Sequence, residues 1–170
     1  IRAIIEDVDS RLWVATHLNG ISVSNSEKTK FNYLKGLSQQ LEGRNVISLI
    51  QSKNQQIYFG TSNGLYIYNP KRAEFYTLKN QKTNQPITLY VNCIAETKQS
   101  NIYFGTNYNG LYYYDQHKNR LNNYTVKNGL PNNNIMAILE DDKGHLWIST
   151  ANGLSMFNPV SKTLKNYTIA

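Results

Sequence analysis

An all-β fold is predicted, on three observations. Apolar residues recur at a spacing of two, the mark of half-buried strands. Such runs flank short Gly-containing turns, most clearly Asn152-Gly153, and an Asn-Gly pair between alternating apolar residues is a strong hairpin signal. The third observation is that one pattern recurs four times along the 170 residues. Its aromatic is Trp13, Tyr58, Tyr103 and Trp147, at spacings of 45, 45 and 44 residues, each just ahead of Thr16, Thr61, Thr106 or Thr150. Glu6, Gln51, Glu96 and Glu140 stand seven residues before the aromatic. Gly20, Gly64, Gly110 and Gly153 follow the Thr, and Asn25, Asn69, Asp115 and Asn158 lie five residues past each Gly. A period of about 40–50 residues with four strands per unit indicates a propeller array, and the spacing of two excludes a helical solenoid. The expected architecture is a β-propeller segment over residues 1–170, with four blade repeats of four antiparallel strands at approximately 1–43, 44–88, 89–133 and 134–170.

Within each repeat the elements follow in order. An apolar inner strand comes first, at 1–6, 46–51, 91–96 and 135–140. A polar turn follows, at 7–11, 52–56, 97–101 and 141–145, and leads into the aromatic second strand. In the fourth repeat Trp147 and Ser149 share one face of that strand, and Leu146, Ile148 and Thr150 the other. Gly then closes the second turn, where φ is expected to be positive. The third strand ends at the Asn or Asp five residues on, and Asn69-Pro70 and Asn158-Pro159 start a turn in which Pro fixes φ. The outer strand begins near Phe31, Phe75, Leu121 and Leu164, after which crossovers of unequal length return to the next inner strand. One such unit cannot bury two apolar faces alone, so blades must stack.

Composition bounds the function. With 17% charged residues, 13 Tyr and 10 Gly, the chain suits short strands and many turns. No apolar run approaches the ~18 residues that span a bilayer. A chain starting at Ile1 without Met is expected to be processed or excised from a longer one. The single Cys93 cannot form an internal disulfide, and its place in an apolar alternation makes it a small core residue. The net charge of +7 is spread over Lys28, Lys30, Lys71, Arg72, Lys118, Arg120, Lys162 and Lys165, around the same turn of each repeat. That is the distribution of solvated hairpins, and no nucleic-acid motif accompanies it.

The acidic turn, Leu146-Trp147-Ile148, Gly153-Leu154, Phe157-Asn158-Pro159 and the earlier Gly129-Leu130-Pro131 resemble the two-component regulator propeller repeat. The resemblance extends over all four repeats, although Tyr58 and Tyr103 replace Trp, and Ala15 and Ser149 replace the small Gly retained at Gly60 and Gly105. It implies an arc of a larger ring of about seven blades. It further implies the periplasmic sensor region of a Bacteroides-type hybrid histidine kinase, responding to polysaccharide breakdown products. The remaining blades and downstream sensor domains would be partners within the same chain, a homodimer is possible, and any membrane link would lie in other segments.

No chemistry stands out. His17, His117 and His145 fall in different turns without metal-ligand spacing. Asp7-Val8-Asp9 and Asp141-Asp142 faintly suggest a calcium loop, but their equivalents are Ser52-Lys53 and Thr97-Lys98, so solvated turns are expected. Neither a metal, a cofactor nor a catalytic set is assigned. Ligand contacts are expected on the face of the second-to-third strand turns, where His17 and the Tyr108-Asn109 pair depart from the period, at His17, Asn19, Asn63, Tyr108, Asn109 and Asn152. Asn and His pair donors with acceptors for sugar hydroxyls, and a Tyr ring covers the apolar face of a pyranose. Trp13, Tyr58, Tyr103 and Trp147 are expected to pack equivalently between blades. The reading is a non-catalytic sensor segment that recognises oligosaccharides; a structural or protein-docking propeller is the alternative, and a propeller enzyme the third.

Overall fold

The computed structural model describes residues 1–17, 20–33, 41, 45–79, 84–116 and 118–167. It contains four four-stranded sheets, each an antiparallel meander whose spatial order follows the chain. This is the propeller-blade pattern that the repeat predicts, and it forms two compact units, Ile1–Thr88 and Leu89–Ala170.

The first unit holds two sheets. One is β1 (Ala3–Glu6), β2 (Leu12–Ala15), β3 (Ile21–Ser24) and β4 (Phe31–Tyr33). The other is β5 (Val46–Gln51), β6 (Ile57–Thr61), β7 (Gly64–Asn69) and β8 (Glu74–Thr77). The first strands of the two sheets, β1 and β5, lie against each other, as inner strands should. Trp13, Ile21, Val23, Val46, Leu49 and Phe59 form the buried core, joined by Leu41 from the crossover. Trp13 faces the second sheet, its ring 6.1 Å from Phe59 and 5.7 Å from Tyr68. The Gln51 side chain, ending β5, accepts a hydrogen bond from the Val8 N–H of the preceding sheet at 3.0 Å.

The second unit repeats the plan. Its sheets are β9 (Val91–Glu96), β10 (Ile102–Thr106), β11 (Leu111–Asp115) and β12 (Arg120–Tyr124), then β13 (Ile135–Glu140), β14 (Leu146–Thr150), β15 (Gly153–Asn158) and β16 (Thr163–Tyr167). Tyr103, Leu111, Ile135, Leu146, Ile148 and Phe157 are its core. Glu140 repeats the role of Gln51: its Oε2 accepts from the Lys98 N–H at 2.7 Å. The crossover carries a one-turn 3-10 helix, Val126–Asn128, capped by the Thr125 hydroxyl and ended by Gly129 at φ 103. Leu130 then drops into the core, which explains the Gly-Leu-Pro of the pattern.

Two features of the repeat have a direct physical reason. The Thr after the aromatic strand clamps its turn: the Thr106 hydroxyl donates to Gly110 O at 2.7 Å and accepts from Asn109 N–H at 3.0 Å. Thr61 and Thr150 do the same with Gly64 and Asn63, and with Gly153 and Asn152. At Gly105 a side chain has no room, because an added Cβ would stand 2.4 Å from Ile135 Cγ2 and 2.7 Å from Cys93 Sγ. Cys93 is thus packed beneath Gly105, and burial pushes its thiol up to about 12.

The turns expected to be solvated are not all so. Asp7 is only 5% exposed. Its carboxylate accepts from the Asp9 and Arg11 N–H groups, from the Arg11 guanidinium, and from the Trp13 indole N–H at 2.7 Å. Burial acts to raise the Asp7 carboxyl, but these hydrogen bonds outweigh it and hold the group below the usual carboxylate range. Asp141 repeats the arrangement, taking the Trp147 indole N–H at 3.0 Å together with the Lys143 and His145 N–H groups.

Candidate functional site

Of the expected recognition residues, Asn19 lies outside the described residues. His17 is exposed after β2, and Asn63 sits in the β6–β7 turn of the same unit. Tyr108 and Asn109 occupy the β10–β11 turn of the second unit, and Asn152 the β14–β15 turn. The three Asn share one role, since each donates its backbone N–H to the Thr clamp. Tyr108 differs: its side chain is 75% exposed, while the turn under it is held firmly. Gly110 donates to Asn133 O at 2.8 Å, and the Asn123 amide donates to Asn109 O at 2.8 Å. Gly110 adopts φ 81, and a Cβ there would meet Tyr124 O at 2.1 Å, so this turn admits no other residue without moving. A rigidly mounted, exposed aromatic ring suits stacking against an apolar ligand face.

At the opposite end of the same strands the second unit carries a cleft of about 400 Å³. Its walls come from Tyr103 on β10, Tyr113 on β11 and Tyr124 on β12, and its rim from Asn101, Lys143 and Lys162. Tyr103 and Tyr113 stack with centroids 5.0 Å apart, and the Tyr113 hydroxyl donates to Asn101 Oδ1 at 3.2 Å. Burial, then the Tyr113 and Tyr124 hydroxyls and the Glu140 carboxylate, raise the Tyr103 hydroxyl well above the usual phenol range.

The repeat that supplies Tyr103 breaks the Asp–Trp pairing. In the first and fourth sheets an Asp six residues before the aromatic anchors a Trp indole. In the third sheet the same two positions hold Thr97 and Tyr103. Sequence reasoning treated Tyr103 as a packing substitution only. The signal was nonetheless present, since Asp accompanies Trp in two repeats, and Ser52 or Thr97 accompanies Tyr in the other two.

Trp13, Tyr58 and Tyr103 are buried, whereas Trp147 is half-buried. Trp13 and Tyr103 face the following sheet of their own unit; Trp147, on the last sheet, stacks on Tyr167 of that sheet at 5.6 Å. Its equivalence is one of register and not of burial. Among the described residues no group of three His, Cys, Asp or Glu could hold a metal ion, and no helix is long and apolar enough to cross a membrane. His117 lies outside the described residues.

The sequence model of the two component regulator propeller family matches residues 129–152. Those residues are similar to a two component regulator propeller repeat. They span the Gly-Leu-Pro crossover, the Asp141 turn and the Trp147 strand, the features on which the resemblance rests. Among solved structures, the chain is similar to the extracellular domain of a putative hybrid two component system from B. thetaiotaomicron, at 28% identity and a TM-score of 0.80, covering 98% of this chain and 23% of that one. A second such domain from B. thetaiotaomicron matches at 22% identity and TM-score 0.80, over 100% of this chain and 22% of that one. Virginiamycin B lyase from Staphylococcus aureus matches at 16% identity and TM-score 0.71, over 98% of this chain and 54% of that one. The last two likenesses show the fold alone, a β-propeller. The chain therefore spans about a quarter of the length of the extracellular domains it resembles. No curated protein matches it in sequence.

Proposed function

We propose that this chain is a non-catalytic, ligand-sensing propeller segment of a periplasmic two-component sensor, and that its ligand is an oligosaccharide. The repeat and the similarity to an extracellular two-component domain support the sensing role. For the ligand class, the observation that carries the reading is Tyr108, an aromatic ring 75% exposed on a turn that Gly110, Asn123 and Asn133 hold in place. Such a ring covers the apolar face of a pyranose while its hydroxyl stays in water, and the neighbouring Asn109 amide can both donate to and accept from sugar hydroxyls. Within the same unit Asn152 occupies the equivalent turn and extends the candidate contacts; in the first unit His17 and Asn63 occupy such turns and are candidate contacts of that unit. Further blades and downstream sensor domains of the same protein would be its partners, and it would act without metal or cofactor.

The test is saccharide affinity of the intact protein before and after Tyr108→Ala combined with Asn109→Ala. Each neutral hydrogen bond is worth about 1 kcal/mol, so the pair should weaken a true ligand by roughly tenfold or more. Unchanged affinity removes this turn from the site.

A further inference from the structure

The four equivalent aromatics of the repeat differ in one respect. The Trp13 and Trp147 indoles donate to Asp7 and Asp141, and the Tyr58 hydroxyl donates to Gln56 Oε1 at 3.2 Å. Tyr103 is only 3% exposed, yet among the described residues its hydroxyl has no hydrogen-bond partner. The residue placed like Gln56 is Asn101, whose Oδ1 already accepts from the Tyr113 hydroxyl. Nor is the Tyr103 hydroxyl sealed in: the enclosed side-chain atoms without a partner are Asn45 Oδ1, Ser48 Oγ and Glu140 Oε1, whereas Tyr103 lines the cleft of about 400 Å³. The Tyr124 hydroxyl near it is likewise without a partner among the described residues. Burying a hydroxyl unpaired is costly, and a ligand atom that bonds it offsets that cost.

The rest of the lining selects by charge and shape. Among the described residues no carboxylate lines the cleft, while Lys143 and Lys162 stand at its rim outside any salt bridge. The side-chain carbonyls of Asn101 and Asn158 already accept, from Tyr113 and from the Val160 and Ser161 N–H groups. A sugar, with a donor at most of its carbons, therefore finds few free acceptors here. A flat ring with one anionic end matches the tyrosine walls and the two cations. Glu140 adds to burial in raising the Tyr103 hydroxyl, so negative charge is disfavoured at the floor. The charged end belongs at the mouth, and an uncharged polar end at Tyr103. We propose that this cleft binds a small phenolic carboxylate, with its hydroxyl bonded to the Tyr103 and Tyr124 hydroxyls, its ring against the Tyr113 wall, and its carboxylate between Lys143 and Lys162. A volume of about 400 Å³ lies within the range of small-ligand pockets. The site is separate from Tyr108, which lies at the other end of the strands, and does not rest on the saccharide reading.

The experiment is calorimetric titration of the intact protein with 4-hydroxyphenylacetate, phenylacetate, tyramine and D-glucuronate. The first should bind at least about fivefold more tightly than phenylacetate, which lacks the hydroxyl, and at least about tenfold more tightly than tyramine, whose charge is reversed, and than D-glucuronate. Tyr103→Phe should abolish the preference over phenylacetate. Lys143→Gln combined with Lys162→Gln, or high salt, should abolish the preference over tyramine. Because the Tyr103 hydroxyl has no partner in the protein, Tyr103→Phe should leave the urea midpoint unchanged or raise it, which also shows that the variant folds. Tyr108→Ala should leave the affinity for 4-hydroxyphenylacetate unchanged, and Tyr103→Phe that for an oligosaccharide, so this proposal and the saccharide reading fail separately. No saturable binding of 4-hydroxyphenylacetate, phenylacetate, tyramine or D-glucuronate as tight as it, preferences that survive the Tyr103 or lysine changes, or a lowered midpoint in Tyr103→Phe would each overturn the proposal.

Discussion

Replacing each Trp by Phe isolates one hydrogen bond in two environments. Trp13→Phe keeps an aromatic ring against Phe59 and Tyr68 but removes the indole N–H from Asp7, whose side chain is 0% exposed. A hydrogen bond to a buried charged group contributes about 1.5–3 kcal/mol, and water cannot reach the vacated position easily, so most of that should be lost. Trp147→Phe removes the same bond from Asp141, whose side chain is 26% exposed, and water can replace the indole there. Its loss should be distinctly smaller. Urea unfolding of the intact protein followed by circular dichroism measures both, provided that m is unchanged. Carboxyl titration by NMR adds a second reading, because the carboxyl pKa should rise in each variant. Equal losses, or a larger loss for Trp147→Phe, would refute the argument that burial sets the strength of the Asp–Trp bond.

Acid should destabilise the protein in a defined window. Asp141 is lowered to about 2, because hydrogen bonds from His145, Lys143 and Trp147 outweigh desolvation, and Asp7 is lowered in the same direction. A depressed folded pKa contributes stability that is complete above the unfolded value near 3.9 and is lost as pH falls toward the folded one. Thermal melts should therefore weaken between about pH 4 and pH 2, and this component should shrink in Trp147→Phe. Gly110→Ala should cost upward of about 1 kcal/mol, since it combines strain at positive φ with a clash on the Tyr124 carbonyl; an unchanged urea midpoint would show that the turn can move. Gly105→Ala should cost about 1–3 kcal/mol through overpacking against Ile135 and Cys93, read from the same melts.

Most of the fold was legible because the period repeats it. The ranges 46–51, 91–96 and 135–140 inferred for inner strands are those of β5, β9 and β13, and the aromatic strand Leu146–Thr150 is β14. Period-2 alternation fixes such strands locally, and the Gly and Thr of each turn have a local reason as well. Legibility ended where a residue's fate depends on another sheet. Trp147 has the register of Trp13, yet only a neighbouring sheet can bury it, and a local pattern does not reveal one. The Asp7 turn looked solvated because its charge was read apart from the indole six residues on, which bends back to donate to it. The tyrosine cleft was not legible as a cleft, because its lining gathers turns distant in sequence, at Asn101, Lys143 and Lys162.

The central claim, that this propeller segment senses a saccharide, is tested most directly by titrating the intact protein that carries it with a panel of oligosaccharides of differing linkage and charge. Saturable heat for one structural class, reduced by Tyr108→Ala with Asn109→Ala, is the predicted result. No saturable heat for any saccharide, or binding left untouched by that pair, would contradict it.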